Sequence, residues 1–137
     1  MLAIRYTVSM AKILIVEDEA ELREILGRYL EKQGYSVLLA ENGVRGLSMA
    51  QESKPDLILL DVKMPEMTGF QMIKNLRKTG EWGEHVPVIF LTNIIMQDDE
   101  EQADIESTEP AGYIVKSKVD PEDVLKKIQD VLNKQSN

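Results

Sequence analysis

Four short apolar runs in this chain each end at a polar, chemically reactive residue. In chain order, the runs and the residues that follow them are 13–16 before Glu17 and Asp18, 57–60 before Asp61, 88–91 before Thr92, and 113–115 before Lys116. Continuous rather than alternating hydrophobicity is typical of parallel strands that are buried on both faces. Parallel sheets bind ligands just beyond the carboxyl ends of their strands. The sequence therefore predicts that three acids, a hydroxyl and an ammonium meet at one sheet edge, where they can hold a divalent cation and a phosphoryl group together.

Length and net charge exclude several classes of function. The 137 residues have the length of one domain, which can bury roughly 70% of its unfolded surface. A net charge of −8 repels nucleic acid and anionic membranes, so we expect no direct contact with either. No apolar stretch approaches the ~20 residues that span a bilayer, and residues 1–10 lack the apolar core of a signal peptide. We therefore expect a soluble, cytoplasmic protein, and the lack of cysteine excludes a thiolate metal site or a thiol nucleophile.

Between the apolar runs, hydrophobic residues recur at the helical period. This spacing predicts four helices, on Leu22, Ile25, Leu26, Tyr29 and Leu30; on Val44 and Leu47; on Phe70, Ile73 and Leu76; and on Val124, Leu125, Ile128, Val131 and Leu132. Residues 35–40 supply a further strand, and another helix is expected around residues 98–109. Asp120 and Pro121 suit the N-cap and the first position of the last helix. The chain thus alternates strand and helix five times.

Such alternation, with right-handed crossovers, places helices on both faces of a parallel sheet. We therefore predict an α/β fold of the flavodoxin-like type. It is a three-layer sandwich whose five-stranded parallel sheet has the order 2-1-3-4-5 and is accompanied by five helices.

These motifs resemble the receiver domain of two-component response regulators. The residues Ile-Leu-Ile-Val-Glu-Asp-Glu at 13–19 match its opening strand and acidic pair, and Asp61-Val62-Lys63-Met64-Pro65 with Gly69 matches its phosphoacceptor loop. The pattern is completed, in the family's usual order, by Leu91-Thr92 and by Tyr113-Ile114-Val115-Lys116. Each motif is short, and the specific signal is that all of them occur in order after the expected strands.

The resemblance divides the chain into three parts. These are an N-terminal extension at residues 1–10, a receiver domain at 11–134 and a C-terminal tail at 135–137. The resemblance implies a stand-alone, single-domain receiver that takes part in a phosphorelay. Such a protein acts by contact, either passing its phosphoryl group to a histidine phosphotransfer protein or binding an unknown downstream protein.

The resemblance also implies a chemistry for the predicted site. Asp61 would accept a phosphoryl group from a phosphohistidine on a sensor histidine kinase or histidine phosphotransfer protein, forming an aspartyl phosphate. The cofactor would be Mg²⁺, held by Asp18, Asp61, the backbone carbonyl of Lys63 and, through water, Glu17. Lys116 would meet a phosphoryl oxygen as a point charge. A receiver is not an enzyme for a separate substrate, because it catalyses only its own phosphorylation and dephosphorylation.

Two further residues match the switch of the receiver family. The hydroxyl of Thr92 would move to bond a phosphoryl oxygen, and Tyr113 would turn inward to fill the space that the threonine leaves. Together they would form an element with two stable conformations, and the charge of the phosphoryl group would favour one of them. The phosphoryl group would then change a surface that a partner protein reads.

Three departures from the family pattern affect kinetics more than chemistry. Asn93 follows the switch threonine, where a small residue is usual, so we expect it to hinder access to the phosphoryl group. Ser117 follows Lys116 in place of a proline, and a cis bond before a residue other than proline costs ~3–4 kcal/mol, so we expect a trans peptide. Glu109-Pro110 replaces a Gly-Ala pair before the fifth strand, which predicts a reshaped helix exit.

The surface around the last two helices carries opposite charges. The acids are Asp98, Asp99, Glu100, Glu101, Asp104, Glu106 and Glu109, and the nearby lysines are Lys118, Lys126 and Lys127. A solvated helix face explains these acids equally well. The sharper hypothesis is a weak, salt-sensitive homodimer that phosphorylation favours, because adjacent acidic and basic stripes are self-complementary under a two-fold axis. We interpret the single histidine, His85, as a structural residue in a loop.

Two alternative functions remain open from the sequence. A phosphatase of the haloacid dehalogenase type also uses an aspartate nucleophile and magnesium, but it places a second aspartate two residues later, where this chain has Lys63. The other alternative is a receiver-like interaction module that works without phosphorylation.

Overall fold

The computed structural model describes residues 11–93, 103 and 106–136. Its centre is a parallel sheet whose strands are β1 (Lys12–Val16), β2 (Ser36–Ala40), β3 (Leu57–Asp61), β4 (Val88–Thr92) and β5 (Gly112–Val115). The strand order is β2-β1-β3-β4-β5, and every neighbouring pair is parallel. This confirms the predicted fold class and strand order. All five carboxyl ends therefore face the same edge of the sheet.

Helices connect the strands on both faces. They are α1 (Ala20–Lys32), α2 (Gly43–Ser53), α3 (Gly69–Leu76), α4 (Glu81–His85) and α5 (Pro121–Ser136), with a 3₁₀ turn at Lys116–Lys118. Of the helix predicted near residues 98–109, only Ala103 and residues 106–109 lie within the described part, and 103, 106 and 107 are helical there. The predicted extension at residues 1–10 lies outside the described residues. The division into extension, domain and tail stays a prediction.

The core explains the three layers. Successive residues of β1 and β3 alternate between two apolar clusters, so that Leu14 packs in one and Ile15 in the other. The first cluster includes Met72 and other residues of α3, and the second includes Leu26 of α1 and Ile128 of α5. Since both faces of these strands are covered, their apolar runs are continuous rather than alternating.

The expected burial on both faces is wrong for β5. This strand alternates between exposed and half-buried residues, and Tyr113 and Val115 are 40% and 52% exposed. The physical reason is position, because among the described strands β5 is the outermost and pairs with β4 alone. Its apolar run therefore has one face in the core, through Ile114, and one face near solvent.

His85 lies at the end of a short helix rather than in a loop. A five-residue helix is too short to show a period in the sequence, and α4 is held partly by Arg77, whose Nη1 donates to the carbonyl oxygens of Gly83 (3.0 Å) and Val86 (2.6 Å). The start of α5 agrees with the sequence, because Asp120 Oδ1 accepts a hydrogen bond from the Glu122 N–H at 2.9 Å. Within the described part, no helix is both long and apolar enough to cross a membrane.

Candidate functional site

Three carboxylates meet where strands β1 and β3 end. Glu17 and Asp18 follow β1 directly, and Asp61 is the last residue of β3. One oxygen from each carboxylate lies within 4.8 Å of the other two. Glu17 has no exposed surface and Asp61 is 2% exposed, whereas Asp18 is exposed, so the cluster is open to solvent on the side of Asp18. The parallel topology thus brings together the three acids that the sequence singled out.

Lys116 joins this cluster from the end of β5. Its ammonium nitrogen lies 2.8 Å from Glu17 Oε2 and 3.0 Å from Asp61 Oδ2. It is also 3.0 Å from Glu19 Oε1 and 3.8 Å from Asp18 Oδ1. Because the lysine side chain is only 8% exposed, these contacts are poorly screened by solvent. The lysine therefore offsets part, but not all, of the negative charge of the site.

The electrostatic environment shifts the pKa values of the cluster. The pKa of Asp61 is raised to about 7, with burial as the largest cause; a hydrogen bond with Asp18 and the charge of Glu17 add to the rise, and Lys116 opposes it. Burial also raises the pKa of Glu17. Burial acts against the charged form of Asp18 too, but hydrogen bonds with Asp61 and Glu17 lower the pKa of Asp18 overall. The pKa of Lys116 is raised despite its burial, because Glu17, Asp61 and Glu19 all accept hydrogen bonds from it.

One buried oxygen of the site lacks a partner. Within the described part, Glu17 Oε1 is buried and makes no hydrogen bond, while Glu17 Oε2 accepts from the Glu19 N–H at 2.9 Å and contacts Lys116. Leaving a buried charged acceptor unpaired costs upward of ~1–3 kcal/mol. A cation at the site, bound directly or through water, would satisfy this oxygen. The all-oxygen donor set and the excess negative charge fit Mg²⁺.

Glycine and a helix cap position the loop after Asp61. A side chain at Gly69 would collide with the Asp61 carbonyl oxygen and lie 3.1 Å from Val62 Cα, so only glycine allows α3 to begin so close to β3. The Gly69 N–H donates to the Val62 carbonyl at 2.9 Å. Thr68 and Gln71 form a reciprocal capping box, with hydrogen bonds of 3.1 Å and 2.9 Å. The loop that carries Lys63 is therefore fixed at both ends.

The two residues matching the family switch lie on the last two strands of the sheet. Thr92 ends β4, is 7% exposed, and lies opposite Val115 in the register of β5. Asp61 pairs with Leu91, so Thr92 lies one residue further along the neighbouring strand. Tyr113 is 40% exposed, which is an outward rather than an inward position.

Two contacts of the site are not evident from the sequence. The carboxylate of Glu19, for which the sequence predicts no role, contacts Lys116. Asn93 is more than the steric obstacle expected from the sequence, because its Oδ1 accepts a 2.7 Å hydrogen bond from the Ser117 N–H. The replacement of proline by Ser117 was the available signal, because only a residue other than proline offers that N–H. None of the peptide bonds in the described residues is cis, which confirms the expected trans bond after Lys116.

A separate groove lies at the other end of the strands, beside their amino ends. It has a volume of about 770 Å³, and its lining includes Tyr35, Asp56 and Pro87, which precede strands, together with Trp82 and His85. These residues lie at the amino ends of the strands, and the acidic cluster lies at their carboxyl ends. His85 is therefore remote from Asp61, and its interpretation as a structural residue stays a prediction.

Comparison with known protein families identifies one model that spans most of the chain. The model of the response regulator receiver domain matches residues 13–129. Protein PilH of Pseudomonas aeruginosa is 39% identical over 123 residues, which cover 90% of this chain and 98% of that protein. The polar-differentiation response regulator DivK of Brucella anthropi is 37% identical over 90 residues, which cover 66% of this chain and 72% of that protein.

Solved structures show the same architecture. The chemotaxis protein CheY4 of Vibrio cholerae superimposes with a TM-score of 0.80 at 34% sequence identity, over 89% of this chain and 98% of that chain. A CheY-like receiver domain protein from Methanospirillum hungatei superimposes with a TM-score of 0.83 at 28% identity, over 93% and 97% of the two chains. These matches give no support to a phosphatase of the haloacid dehalogenase type.

Proposed function

Since the chain belongs to the response regulator receiver domain family, we propose that it is a phosphoryl-accepting signalling receiver whose acceptor is Asp61. Asp61 ends a buried strand and lies among two other carboxylates and a lysine. The receiver domain would comprise residues 11–134. Its donors would be a sensor histidine kinase or a histidine phosphotransfer protein, both of which carry phosphohistidine.

The proposed reaction is an in-line phosphoryl transfer. A carboxylate oxygen of Asp61 forms a bond to phosphorus as the bond between phosphorus and the histidine nitrogen breaks. The departing imidazole nitrogen keeps the electron pair of that bond and then takes a proton. The chain thus catalyses only its own phosphorylation and, when water attacks the aspartyl phosphate, its own dephosphorylation.

Receiver domains bind Mg²⁺ at an acidic pocket, and the residues here fit that ion. We propose that Asp18 and Asp61 hold it directly, together with the Lys63 backbone carbonyl, and that Glu17 acts through water. When bound, Mg²⁺ supplies positive charge to the phosphoryl oxygens and lowers the repulsion among the carboxylates. The unpaired Glu17 Oε1 supports this assignment. It does so independently of the family match.

Lys116 would stabilise the phosphoryl group. Its ammonium already lies 3.0 Å from Asp61 Oδ2, and its pKa is raised, so it stays protonated at neutral pH. A phosphoryl oxygen on Asp61 can replace one of the carboxylate partners of the lysine without moving the backbone. Charge-assisted hydrogen bonds of this kind are about twice as strong as neutral ones.

We propose that Thr92 and Tyr113 transmit the change to a partner protein. Thr92 is buried at the end of β4, and the exposed Tyr113 lies outward on the neighbouring edge strand. Bonding of the threonine hydroxyl to a phosphoryl oxygen would open space for Tyr113 to turn inward. The surface around β5 and α5 would then change for a downstream protein or for a second copy of the chain.

The observation that carries the proposal is the convergence of Glu17, Asp18, Asp61 and Lys116 at the carboxyl ends of the strands, where Glu17 and Asp61 are buried. Its test is incubation with Mg²⁺ and a small phosphodonor such as acetyl phosphate, followed by intact-mass measurement. We expect the wild-type chain to gain the mass of one phosphoryl group, and Asp61→Asn or EDTA to abolish the gain. A wild-type chain that stays unlabelled would instead indicate an interaction module that works without phosphorylation.

A further inference from the structure

The backbone after Lys116 is tied to the strand that precedes it in the sheet. Asn93 follows the end of β4, and Ser117 follows Lys116 at the end of β5. The Asn93 Oδ1 accepts a hydrogen bond from the Ser117 N–H at 2.7 Å, which joins residues 24 positions apart. This contact connects the loop after Thr92 to the turn that carries the lysine.

The hydrogen bond satisfies a donor that the turn itself cannot satisfy. Lys116–Lys118 form a 3₁₀ turn, and the N–H groups at the start of such a turn have no partner within it. Val115, at the N-cap position, provides no side-chain hydrogen bond. At its end the turn has a long contact of 3.4 Å from the Val119 N–H to the Lys116 carbonyl. Asn93 therefore acts as a cap supplied from another strand.

The lysine needs such support because its ammonium has several competing partners. Four carboxylates lie within 4.0 Å of Lys116 Nζ, and one of them belongs to the exposed Glu19. A lysine side chain is a flexible stem with a point charge and does not choose among carboxylates by its own geometry. Fixing the backbone at Ser117 limits the positions that the ammonium can reach. One of these positions is the one in which the ammonium contacts Asp61 Oδ2.

We propose that Asn93 is a positioning residue, which holds the Lys116 turn so that the ammonium faces Asp61 and the phosphoryl group that Asp61 accepts. This inference rests on the proposed function and adds a role that steric hindrance does not cover. Steric hindrance depends on the bulk of the side chain at position 93. Positioning depends on an acceptor atom there and on the N–H of Ser117.

Four single variants and the double variant Lys116→Ala/Asn93→Leu separate the two roles. Asn93→Leu keeps a similar bulk but removes the acceptor, and Asn93→Ala removes both. Ser117→Ala is the matched control, because it keeps the N–H donor and removes only the hydroxyl. Lys116→Ala removes the group that Asn93 is proposed to position. The initial rate of labelling by acetyl phosphate with Mg²⁺ is measured for each variant by intact mass.

Positioning predicts that Asn93→Leu and Asn93→Ala both label about tenfold more slowly than wild type, since a misplacement of about 1 Å can cost ~100-fold in rate. Ser117→Ala should label at the wild-type rate. In a Lys116→Ala background, Asn93→Leu should cause no further loss, because its effect passes through the lysine. If Asn93→Leu labels at the wild-type rate, or lowers the rate equally with and without Lys116, the proposal is overturned.

Amide hydrogen exchange tests the contact without any phosphorylation. The Ser117 N–H should exchange slowly in wild type and Ser117→Ala, and faster in both Asn93 variants. The ¹⁵N resonance of the Lys116 ammonium should likewise shift or broaden in Asn93→Leu. If wild type takes no label, the proposed function fails, and these two spectra still decide the positioning role. An unchanged lysine resonance in Asn93→Leu would overturn it.

Discussion

The Lys116 ammonium lies 3.0 Å from Asp61 Oδ2, although the two residues are 55 positions apart in the chain. Both side chains are almost fully buried, at 8% and 3% exposure. Asp61 is nevertheless not held in its charged form by this contact, because burial and the neighbouring acids raise its pKa to about 7. A partner that cancels only part of the local charge leaves negative charge at the site, which fits the proposed Mg²⁺.

Replacing Lys116 by methionine should raise the pKa of Asp61 above about 7. The lysine is the group that opposes the effects of burial and of Glu17 on that carboxyl, and methionine fills a similar volume without charge. The measurement is a titration of the Asp61 carboxyl carbon by NMR in EDTA. An Asp61 pKa that is equal or lower in Lys116→Met would contradict the electrostatic description of the site.

Asp61→Asn should stabilise the metal-free protein increasingly as the pH rises from 4 to 8. The Asp61 pKa is raised on folding from 3.8 to about 7. The folded state therefore binds the proton more tightly, and the stability that this contributes is fully present below pH about 4 and is lost as the pH rises through 7. Asparagine has no such titration. By thermal unfolding in EDTA, we expect the free energy of unfolding of the variant to gain on the order of 4 kcal/mol relative to wild type between pH 4 and pH 8.

The matched control for this pH experiment is Asp130→Asn, which changes an exposed carboxyl on α5. The free energy of unfolding of Asp130→Asn should differ little from that of wild type, and by a similar amount at pH 4 and at pH 8. If Asp61→Asn behaves in the same way as this control, burial does not penalise the charge of Asp61.

Glu17→Gln should weaken Mg²⁺ binding by ~10- to 100-fold, the range found when a supporting group around a metal is changed. Glutamine keeps the shape but removes the charge next to the unpaired buried oxygen. Calorimetric titration with Mg²⁺ measures the affinity. Glu24→Gln, which removes an exposed carboxylate of α1, is the control and should bind as wild type does. Equal affinities in all three proteins would exclude Glu17 from the ion site.

Gly69→Ala should destabilise the protein by about 1–3 kcal/mol, as overpacking usually does. The added methyl group would meet the backbone at Asp61 and Val62, which cannot move without displacing the carboxylate. Gly27→Ala is the comparison, since its methyl group would contact mainly the flexible end of Leu39. Urea unfolding of both variants gives the free energies. A Gly69→Ala protein as stable as wild type would show that the contact between α3 and β3 is loose.

The predicted homodimer stays a separate question. Of its acidic stripe, only Glu106 and Glu109 lie within the described residues. Sedimentation with and without beryllofluoride, at low and high salt, tests whether activation favours self-association. We expect a monomer without beryllofluoride and a heavier species with beryllofluoride at low salt. An unchanged mass at both salt concentrations would leave only a separate partner protein.

The acidic cluster could be predicted from the sequence because the carboxyl ends of parallel strands lie at the same edge of the sheet. Once residues 13–16 and 57–60 are adjacent buried strands, Glu17 and Asp61 must emerge there together. The predicted strand order is the common flavodoxin-like order for a chain that alternates strand and helix. The exposed face of β5 could not be predicted from its own apolar run, because the same letters occur in central and in outer strands. It follows instead from the predicted order, in which β5 has a neighbouring strand on one side.

The contacts of Lys116 with Glu19 and of Asn93 with Ser117 could not be predicted either. Both depend on the conformation of short loops, where a side chain reaches a backbone group or charge on a different strand. The spacing of residues along the sequence does not determine such conformations. Likewise, the five residues of α4 are too few to show a helical period.

Chemical mapping of the phosphorylated residue decides whether Asp61 is the acceptor. The chain is labelled with acetyl phosphate and Mg²⁺, reduced with borohydride, which converts an aspartyl phosphate to homoserine, and digested for peptide sequencing by mass spectrometry. We expect homoserine at position 61 in the wild-type chain and nowhere in Asp61→Asn. Homoserine at Asp18 or another acid, with Asp61 intact, would contradict this assignment.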